Sequence, residues 1–112
     1  MSWIGVDLDG TLAEWHRPRG QIGNPVPAMV ARVNRWRSQG REVRIFTARV
    51  SSAESRLTRL IQRMAIMVWC KSHLGCILPV TAEKDFEMES FYDDRAVAVE
   101  RNTGRLMGGN DA

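Results

Sequence analysis

The sequence predicts an α/β fold, a single three-layer domain with a mainly parallel sheet. Short segments typical of strands alternate along the chain with segments whose apolar residues recur at helical spacing. Strands and helices in this order form a parallel sheet through right-handed crossovers, and we expect helices on both of its faces. A chain of 112 residues has room for one hydrophobic core. We therefore expect one domain over residues 1–108, followed by a frayed tail at 109–112.

The first half of the chain divides at its proline and glycine residues. Residues 3–6 are a short apolar run that predicts a buried strand. Residues 12–27 are rich in proline and glycine, which predicts a long loop or small hairpin, and long loops often bind ligands. Pro27 can open a helix that ends near Gly40. The alternation over residues 42–47 predicts the second strand.

The second half repeats this order of elements. Ser51 and Glu54 have the spacing of a capping box, and apolar residues then recur at helical spacing as far as Gly75. We expect the tryptophans at 3, 36 and 69 and the methionines of this second helix to lie in the core. Residues 76–81 and 90–92 predict two further strands. Residues 96–99 and 105–107, on either side of an Asn-Thr-Gly turn, predict a C-terminal hairpin.

Composition excludes several classes of protein. The longest apolar run, residues 64–70, is too short for a transmembrane helix, and the N-terminus does not resemble an export signal. We therefore expect a cytoplasmic protein whose two cysteines, Cys70 and Cys76, are reduced. With His73 they could form a zinc site, but three ligands at one helix end make unspecialised thiols the stronger interpretation.

Basic residues give the chain a net charge of +3, which favours anionic partners such as phosphate compounds or nucleic acid. The arginines are nevertheless spread over the chain. Two groups, at 32, 35 and 37 and at 56, 59 and 63, have helical spacing. We interpret both groups as solvated helix faces.

Acidic and phosphate-binding residue types follow the predicted strands. Asp7 and Asp9 end the first strand, Thr47 and Arg49 end the second, and an acidic pair at 93–94 ends the last. The carboxyl ends of parallel strands meet at one edge of the sheet, where ligands bind. Carboxylates brought together there repel one another unless a cation lies among them, and oxygen ligands of this kind suit Mg²⁺.

Such a group of residues fits phosphoryl transfer. A carboxylate can attack phosphorus to give an aspartyl-phosphate, while a second carboxylate moves the proton. Thr47, Lys84 and Arg49 supply a hydroxyl and positive charge for the phosphate oxygens. Arg49 and Arg95 have a second interpretation, which is that they only pair with the acidic residues.

Four motifs in order identify a family resemblance. They are DLDGTL at residues 7–12, IFTAR at 45–49, the lysine of EKD at 84, and FYDDRA at 91–96. Together they resemble the haloacid dehalogenase-like (HAD) superfamily, whose motifs are D-x-D-x-T, a serine or threonine, a lysine and an acidic pair. The resemblance covers residues 3 to about 95 and implies a Rossmann-like domain.

The resemblance implies a role for each motif. Asp7 would be the nucleophile and Asp9 the general acid and base, with Thr47 and Lys84 binding the phosphate. Mg²⁺ would be held by Asp7, by the backbone carbonyl of Asp9 and by the acidic pair. Of that pair, we expect Asp94 to bind the metal directly and Asp93 to lie next to Asp94 without binding the metal itself. Lys71 is a rival to Lys84.

The spacing of the motifs leaves no room for a cap domain. The predicted helices and strands fill the gaps between Asp7, Thr47 and Lys84, so we expect a small capless phosphatase with residues 12–27 as its flap. The open site suits a phosphorylated small molecule, a nucleotide or the end of a nucleic acid, and a homo-oligomer could cover it. Three flap residues, Trp15, His16 and Arg17, would contact the leaving group or form an exposed loop tip. A non-catalytic binding domain with the same fold is the further alternative.

Overall fold

A parallel four-stranded sheet organises the chain in the computed structural model, which describes residues 2–16 and 20–108. The strands are β1 (Trp3–Asp7), β2 (Glu42–Phe46), β3 (Val80–Thr81) and β4 (Met88–Tyr92), in the spatial order β3-β2-β1-β4. Helix α1 (Pro27–Ser38) joins β1 to β2, and α2 (Arg56–Leu74) joins β2 to β3. The predicted α/β fold with a parallel sheet is confirmed. The predicted tail at 109–112 lies outside the described residues.

Both helices pack on the same face of the sheet. Val33 of α1 and Ile66 of α2 belong to one buried cluster with Val6 of β1 and Ile45 of β2. The strand order explains this, because β1, β2 and β3 follow one another in the same direction across the sheet, so right-handed crossovers place both helices on one side. The expectation of helices on both faces, and hence of three layers, was therefore wrong for this chain.

The other face is closed by side chains rather than by a helix. The connection that returns from β3 to β4 is a short segment with no helix. Aromatic rings from the two strands that flank β1 cover this face, with Phe46 and Phe91 at 4.8 Å between ring centroids. Gly5 lies beneath them, and a Cβ there would lie 2.7 Å from the methyl carbon of Met88. The guanidinium of Arg44 stacks 4.5 Å from the ring of Trp3.

Helix α2 begins and packs differently from the sequence-based expectation. Its N-cap is Ser55, whose Oγ accepts a hydrogen bond from the backbone N of Thr58. The predicted capping box was wrong, because Ser51 Oγ instead accepts from the backbone N of Ala53 in the preceding turn. The helix ends as expected at Gly75, which adopts the left-handed conformation.

The apolar residues of α2 lie on two opposite faces. The buried face carries Ile66, Trp69, Cys70 and Leu74. The opposite face carries six exposed apolar side chains: Leu57, Leu60, Ile61, Met64, Met67 and Val68. The core positions expected for the methionines of α2 were therefore wrong, whereas the three tryptophans are buried as expected.

The remaining elements follow the predicted order with shorter or shifted bounds. Strand β3 is only two residues long, since Pro79 has no backbone N–H to donate, although its carbonyl accepts from the backbone N of Ile45. Strand β4 starts two residues before the expected position. The C-terminal hairpin is reduced to a turn with one bridge between Val99 and Leu106. No helix in the described residues is long and apolar enough to cross a membrane.

The predicted flap leaves the sheet edge as a short antiparallel pair. The backbone N of Glu14 donates to Asn24 O at 2.8 Å, and the backbone N of Val26 donates to Leu12 O at 2.8 Å. Trp69 of α2 donates from Nε1 to the Gly23 carbonyl at 2.9 Å. The base of the flap is thereby fixed to the domain.

Candidate active site

Strand register brings the predicted site residues to one edge of the sheet. Asp7 at the end of β1 pairs in register with Phe46 of β2, and Val6 pairs with Tyr92 of β4. The residue after β2 is Thr47 and the residues after β4 are the acidic pair. All three motifs therefore leave the sheet at the same level.

Three carboxylates converge at this edge. Asp7, Asp93 and Asp94 each offer one oxygen, and these oxygens lie within 4.8 Å of one another. We call these three residues the acidic cluster. Burial, a hydrogen bond with Asp94 and the negative charges of Asp93, Asp94 and Asp9 raise the pKa of Asp7 to about 8. Burial also acts to raise the pKa of Asp94, but hydrogen bonds from Asp7 and Thr11 outweigh it and lower that pKa.

The donor set of the cluster fits a divalent cation. Each main influence on the pKa of Asp7 favours its protonated form, and no ion pair of the described residues joins Asp7 to a basic side chain. Carboxylate oxygens at this separation are the ligands that Mg²⁺ takes, and a cation would offset the burial and the repulsion that raise the pKa of Asp7.

Two residues of the first motif hold Asp94 in place. Thr11 donates from Oγ1 to Asp94 Oδ1 at 3.1 Å and accepts from the Asp94 backbone N at 3.0 Å. Gly10 has φ of +91°, and a Cβ there would lie 2.6 Å from Asp94 Oδ2. Sequence reasoning gave neither residue a role, although both belong to the quoted DLDGTL motif. Their presence between Asp9 and Leu12 was the available signal.

Asp9 lies in a different environment from Asp7. Arg49 donates from Nε to Asp9 Oδ2 at 2.7 Å and from Nη2 to Asp9 Oδ1 at 2.8 Å. This bidentate pair is largely shielded, with side-chain exposures of 12% for Arg49 and 25% for Asp9. The charge of Asp9 is therefore balanced within the protein.

Arg49 also connects three parts of the domain. Its Nη1 donates to the Gly20 carbonyl of the flap at 2.8 Å and to Gln62 Oε1 of α2 at 3.0 Å. All three guanidinium nitrogens are thus engaged, and a phosphate would have to compete with these contacts. Of the two interpretations given to Arg49, pairing with an acidic residue is the one present in this conformation. Gln62 has no sequence signal that marks it.

Thr47 is buried and caps the turn that carries Arg49. Its side chain is 2% exposed, and its Oγ1 accepts from the Arg49 backbone N at 3.2 Å, at the start of a 3₁₀ turn over Ala48–Val50. Its own backbone N donates to Thr81 O at 2.9 Å. The hydroxyl keeps its proton available for an acceptor at the sheet edge.

The two candidate lysines lie on different elements of the domain. Lys84 is exposed in the connection to β4, with Nζ 5.9 Å from the centroid of the Phe91 ring. No ion pair of the described residues joins it to the acidic cluster. Lys71 is in the last turn of α2, which leads into the start of β3 and so lies toward the opposite sheet edge. The placement favours Lys84 over Lys71.

The described end of the flap is open to solvent. Trp15 is 44% exposed, and His16 Nε2 lies 3.3 Å from Glu14 Oε1. Arg17 lies outside the described residues. Arg95 follows the acidic pair, and its backbone N donates to Asp93 Oδ1 at 3.1 Å.

Comparison with known proteins adds one structural relative. No protein-family model matches the chain, and no curated protein matches it. A solved structure described as a conserved protein coded by a locus from Bacteroides thetaiotaomicron is similar, with a TM-score of 0.59 and 26% sequence identity. The alignment covers 84% of this chain and 76% of that one.

Proposed function

We propose that this protein is a Mg²⁺-dependent phosphohydrolase of the HAD type, which cleaves phosphate monoesters through an aspartyl-phosphate. The observation that carries the proposal is the convergence of Asp7, Asp93 and Asp94, with no ion pair of the described residues joining Asp7 to a basic side chain. The four motifs of the sequence and the parallel sheet support the same assignment. The unpaired thiols of Cys70 and Cys76 fit the reducing cytoplasm, where we place the protein.

The cation would be held by Asp7 and Asp94, with Asp93 beside them and the Asp9 carbonyl as a further ligand. Thr11 would orient Asp94 through its two hydrogen bonds. When bound, Mg²⁺ would neutralise negative charge on the phosphate and on the cluster.

Asp7 and Asp9 would divide the reaction between them. A carboxylate oxygen of Asp7 attacks phosphorus, and the bond from phosphorus to the ester oxygen breaks. Asp9 gives that oxygen its proton, so the alcohol leaves. Asp9 then takes a proton from water, the water oxygen attacks phosphorus, and inorganic phosphate leaves while the Asp7 carboxylate is restored.

The pair with Arg49 sets a condition on Asp9. Before Asp9 can carry a proton, one of its oxygens has to leave the guanidinium. Arg49 would then bind the ionised Asp9 that exists between the two proton transfers, and the proton taken from water would serve the next turnover. Thr47 would donate from its hydroxyl to a phosphate oxygen, and Lys84 would swing from its exposed position to supply positive charge.

Replacement of the nucleophile tests the mechanism. Asp7→Asn should lower the release of phosphate from p-nitrophenyl phosphate by at least about a thousandfold, since a neutral amide cannot form the acyl phosphate. The control is Asp85→Asn, because an asparagine there keeps the acceptor that Trp3 Nε1 uses at 2.8 Å. EDTA should silence the wild type, and Mg²⁺ but not Ca²⁺ should restore it. Full activity of Asp7→Asn would refute the mechanism.

A screen separates the enzyme from a binding domain of the same fold. The wild type should release phosphate from at least one class among sugar phosphates, nucleotides and phosphorylated oligonucleotides in the presence of Mg²⁺. Mg²⁺ binding in calorimetry without turnover of any class would favour the non-catalytic alternative.

A further inference from the structure

A second polar cavity lies beside the candidate active site, at the end of β3. It has a volume of about 350 Å³, and its polar lining comes from the loop after β2, from α2 and from the end of β3: Ser51, Ser52, Arg59, Arg63, Thr81 and Glu83. We call it the β3 cavity. Glu83 precedes Lys84 in the EKD segment, the other residues lie outside the four motifs, and none has a role in the proposed mechanism.

The cavity carries positive charge that the described protein does not neutralise. Arg59 is half-buried, and no ion pair joins Arg59 or Arg63 to a carboxylate of the described residues. Arg63 donates from Nη1 to the Val80 carbonyl, at 2.9 Å. Glu83 is exposed, so two guanidinium groups face one carboxylate and the lining keeps a net positive charge. A guanidinium that is half-buried without a counter-ion favours an anionic ligand.

The cavity is continuous with the phosphate-binding turn. Thr47 donates from its backbone N to the carbonyl of Thr81 at the cavity wall. Val50 ends the turn that carries Arg49, and it lines the cavity. The sheet order places β3 two strands from β1, so the cavity lies about 10 Å from Asp7 along the edge, given a spacing of ~4.8 Å between strands.

We propose that the β3 cavity binds a second phosphate group of the substrate, about 10 Å from the phosphorus that Asp7 attacks. The inference rests on the proposed function and names its substrate class, which is a compound with two separate phosphate groups. Arg59 and Arg63 bind the group that is not cleaved, and the hydroxyl groups of Ser51 and Ser52 supply further donors. A bisphosphorylated small molecule and the end of an oligonucleotide both present this chemistry.

A series of alkanediol bisphosphates measures the spacing directly. Compounds with three to eight carbons are compared with their monophosphates, with phosphate release as the readout. The bisphosphate of best length should have a KM about tenfold lower than its monophosphate, with kcat unchanged, as expected for a charge-assisted contact that acts only in binding. Equal KM values at every length would overturn the proposal.

Variants assign the effect to the two arginines. Arg59→Gln with Arg63→Gln should remove the tenfold advantage of the bisphosphate and leave the monophosphate unchanged. Arg56→Gln is the matched control, because Arg56 lies on the same helix, is exposed and is outside the cavity lining. Arg59→Lys with Arg63→Lys keeps both positive charges and should keep part of the lower KM for the bisphosphate. This result would show that the loss in the glutamine double variant does not come from misfolding. An advantage that survives in the glutamine double variant would contradict the assignment.

A binding measurement keeps the inference distinct from the proposed function. Calorimetry with the non-hydrolysable alkane diphosphonate of best length should give about tenfold tighter binding to Asp7→Asn than to that variant with both arginines replaced. This difference in affinity should be present even if the protein hydrolyses no ester. If the difference is absent while the monophosphate is hydrolysed normally, the second phosphate site is refuted and the proposed function is not. A phosphorylated oligonucleotide arm identifies the source of the second phosphate, since a steep fall of affinity with salt marks a polymer and a shallow fall marks a small molecule.

Discussion

Asp7 and Asp9 are the same residue type two positions apart, yet they lie in opposite electrostatic environments. Asp7 is partly buried among other carboxylates, and burial together with these neighbours raises its pKa to about 8. Both carboxylate oxygens of Asp9 accept hydrogen bonds from Arg49. A basic side chain therefore balances the charge of Asp9, whereas no ion pair of the described residues involves Asp7. This difference supports the proposal that a cation binds beside Asp7.

The comparison also explains why the two residues can have different chemical duties. A nucleophile has to approach phosphorus as a carboxylate, which a cation in the acidic cluster would favour. A residue that transfers protons has to alternate between a protonated and an ionised carboxyl group. The hydrogen bonds from Arg49 would hold Asp9 in one position while it is ionised.

Removal of Arg49 should have the largest effect on this arrangement. Arg49→Met leaves the shielded Asp9 carboxylate without a partner and also frees the Gly20 carbonyl of the flap. We expect the free energy of unfolding in urea to fall by about 3 kcal/mol, since an unpaired, largely buried charge is costly. Arg37→Met, at an exposed position of α1, is the control and should change it by less than about 0.5 kcal/mol.

A double-mutant cycle makes this prediction sharper. Asp9→Asn with Arg49→Met removes both charges, so the pair should be more stable than Arg49→Met alone by about 1 kcal/mol or more. If the double variant is no more stable than Arg49→Met, the stability lost on removing Arg49 arises from its contacts with the flap and Gln62. The claim that Arg49 neutralises a costly charge on Asp9 would then be wrong.

Replacement of Gly10 disturbs the environment of Asp7 with a smaller effect on stability. Gly10→Ala places a methyl group against the Asp94 carboxylate at a residue with φ of +91°. We expect a loss of about 2 kcal/mol in unfolding free energy and a Mg²⁺ affinity lowered about tenfold, because Asp94 has to move. Gly40→Ala is the matched control, since Gly40 has φ of +77° with open space around it. It should cost about 1 kcal/mol and leave Mg²⁺ affinity unchanged, and an equal loss of affinity in both variants would contradict the role of Gly10.

The sequence was enough to predict the sheet edge at which these environments lie. Asp7, Thr47 and the acidic pair each follow a segment with strand-like pattern, and parallel strands bring their carboxyl ends together. The sequence left two interpretations of Arg49, phosphate binding and pairing with an acidic residue, and it did not identify Arg49 as the partner of Asp9. Its position depends on a 3₁₀ turn capped by Thr47, and such a turn has no repeating pattern from which to predict it.

Two features of the fold could not be read from hydropathy. Helix α2 has apolar residues on both faces, and periodicity alone does not decide which face packs on the sheet; Ile66 and Trp69 do so, whereas Met64 is 55% exposed. The second face of the sheet has no helix because the return from β3 to β4 is too short to form one. The sequence pattern of alternating strands and helices does not distinguish the strand order that makes this connection short.

The pH dependence of stability should give the smallest effect and isolates Asp7. Its pKa of about 8 lies above the ordinary 3.8, so between these values the folded protein keeps a proton that the unfolded chain releases. Stability of the metal-free protein should therefore fall as the pH rises from about 4 to 8, by about 1–2 kcal/mol once solvent screening of a half-exposed group is allowed for.

Urea unfolding in EDTA at pH 5 and pH 8.5 measures this difference, and saturating Mg²⁺ should reduce it because a cation favours the ionised form. Asp7→Asn should lose the same 1–2 kcal/mol of pH dependence; an unchanged slope in that variant would mean that the acidic cluster does not retain a proton on Asp7.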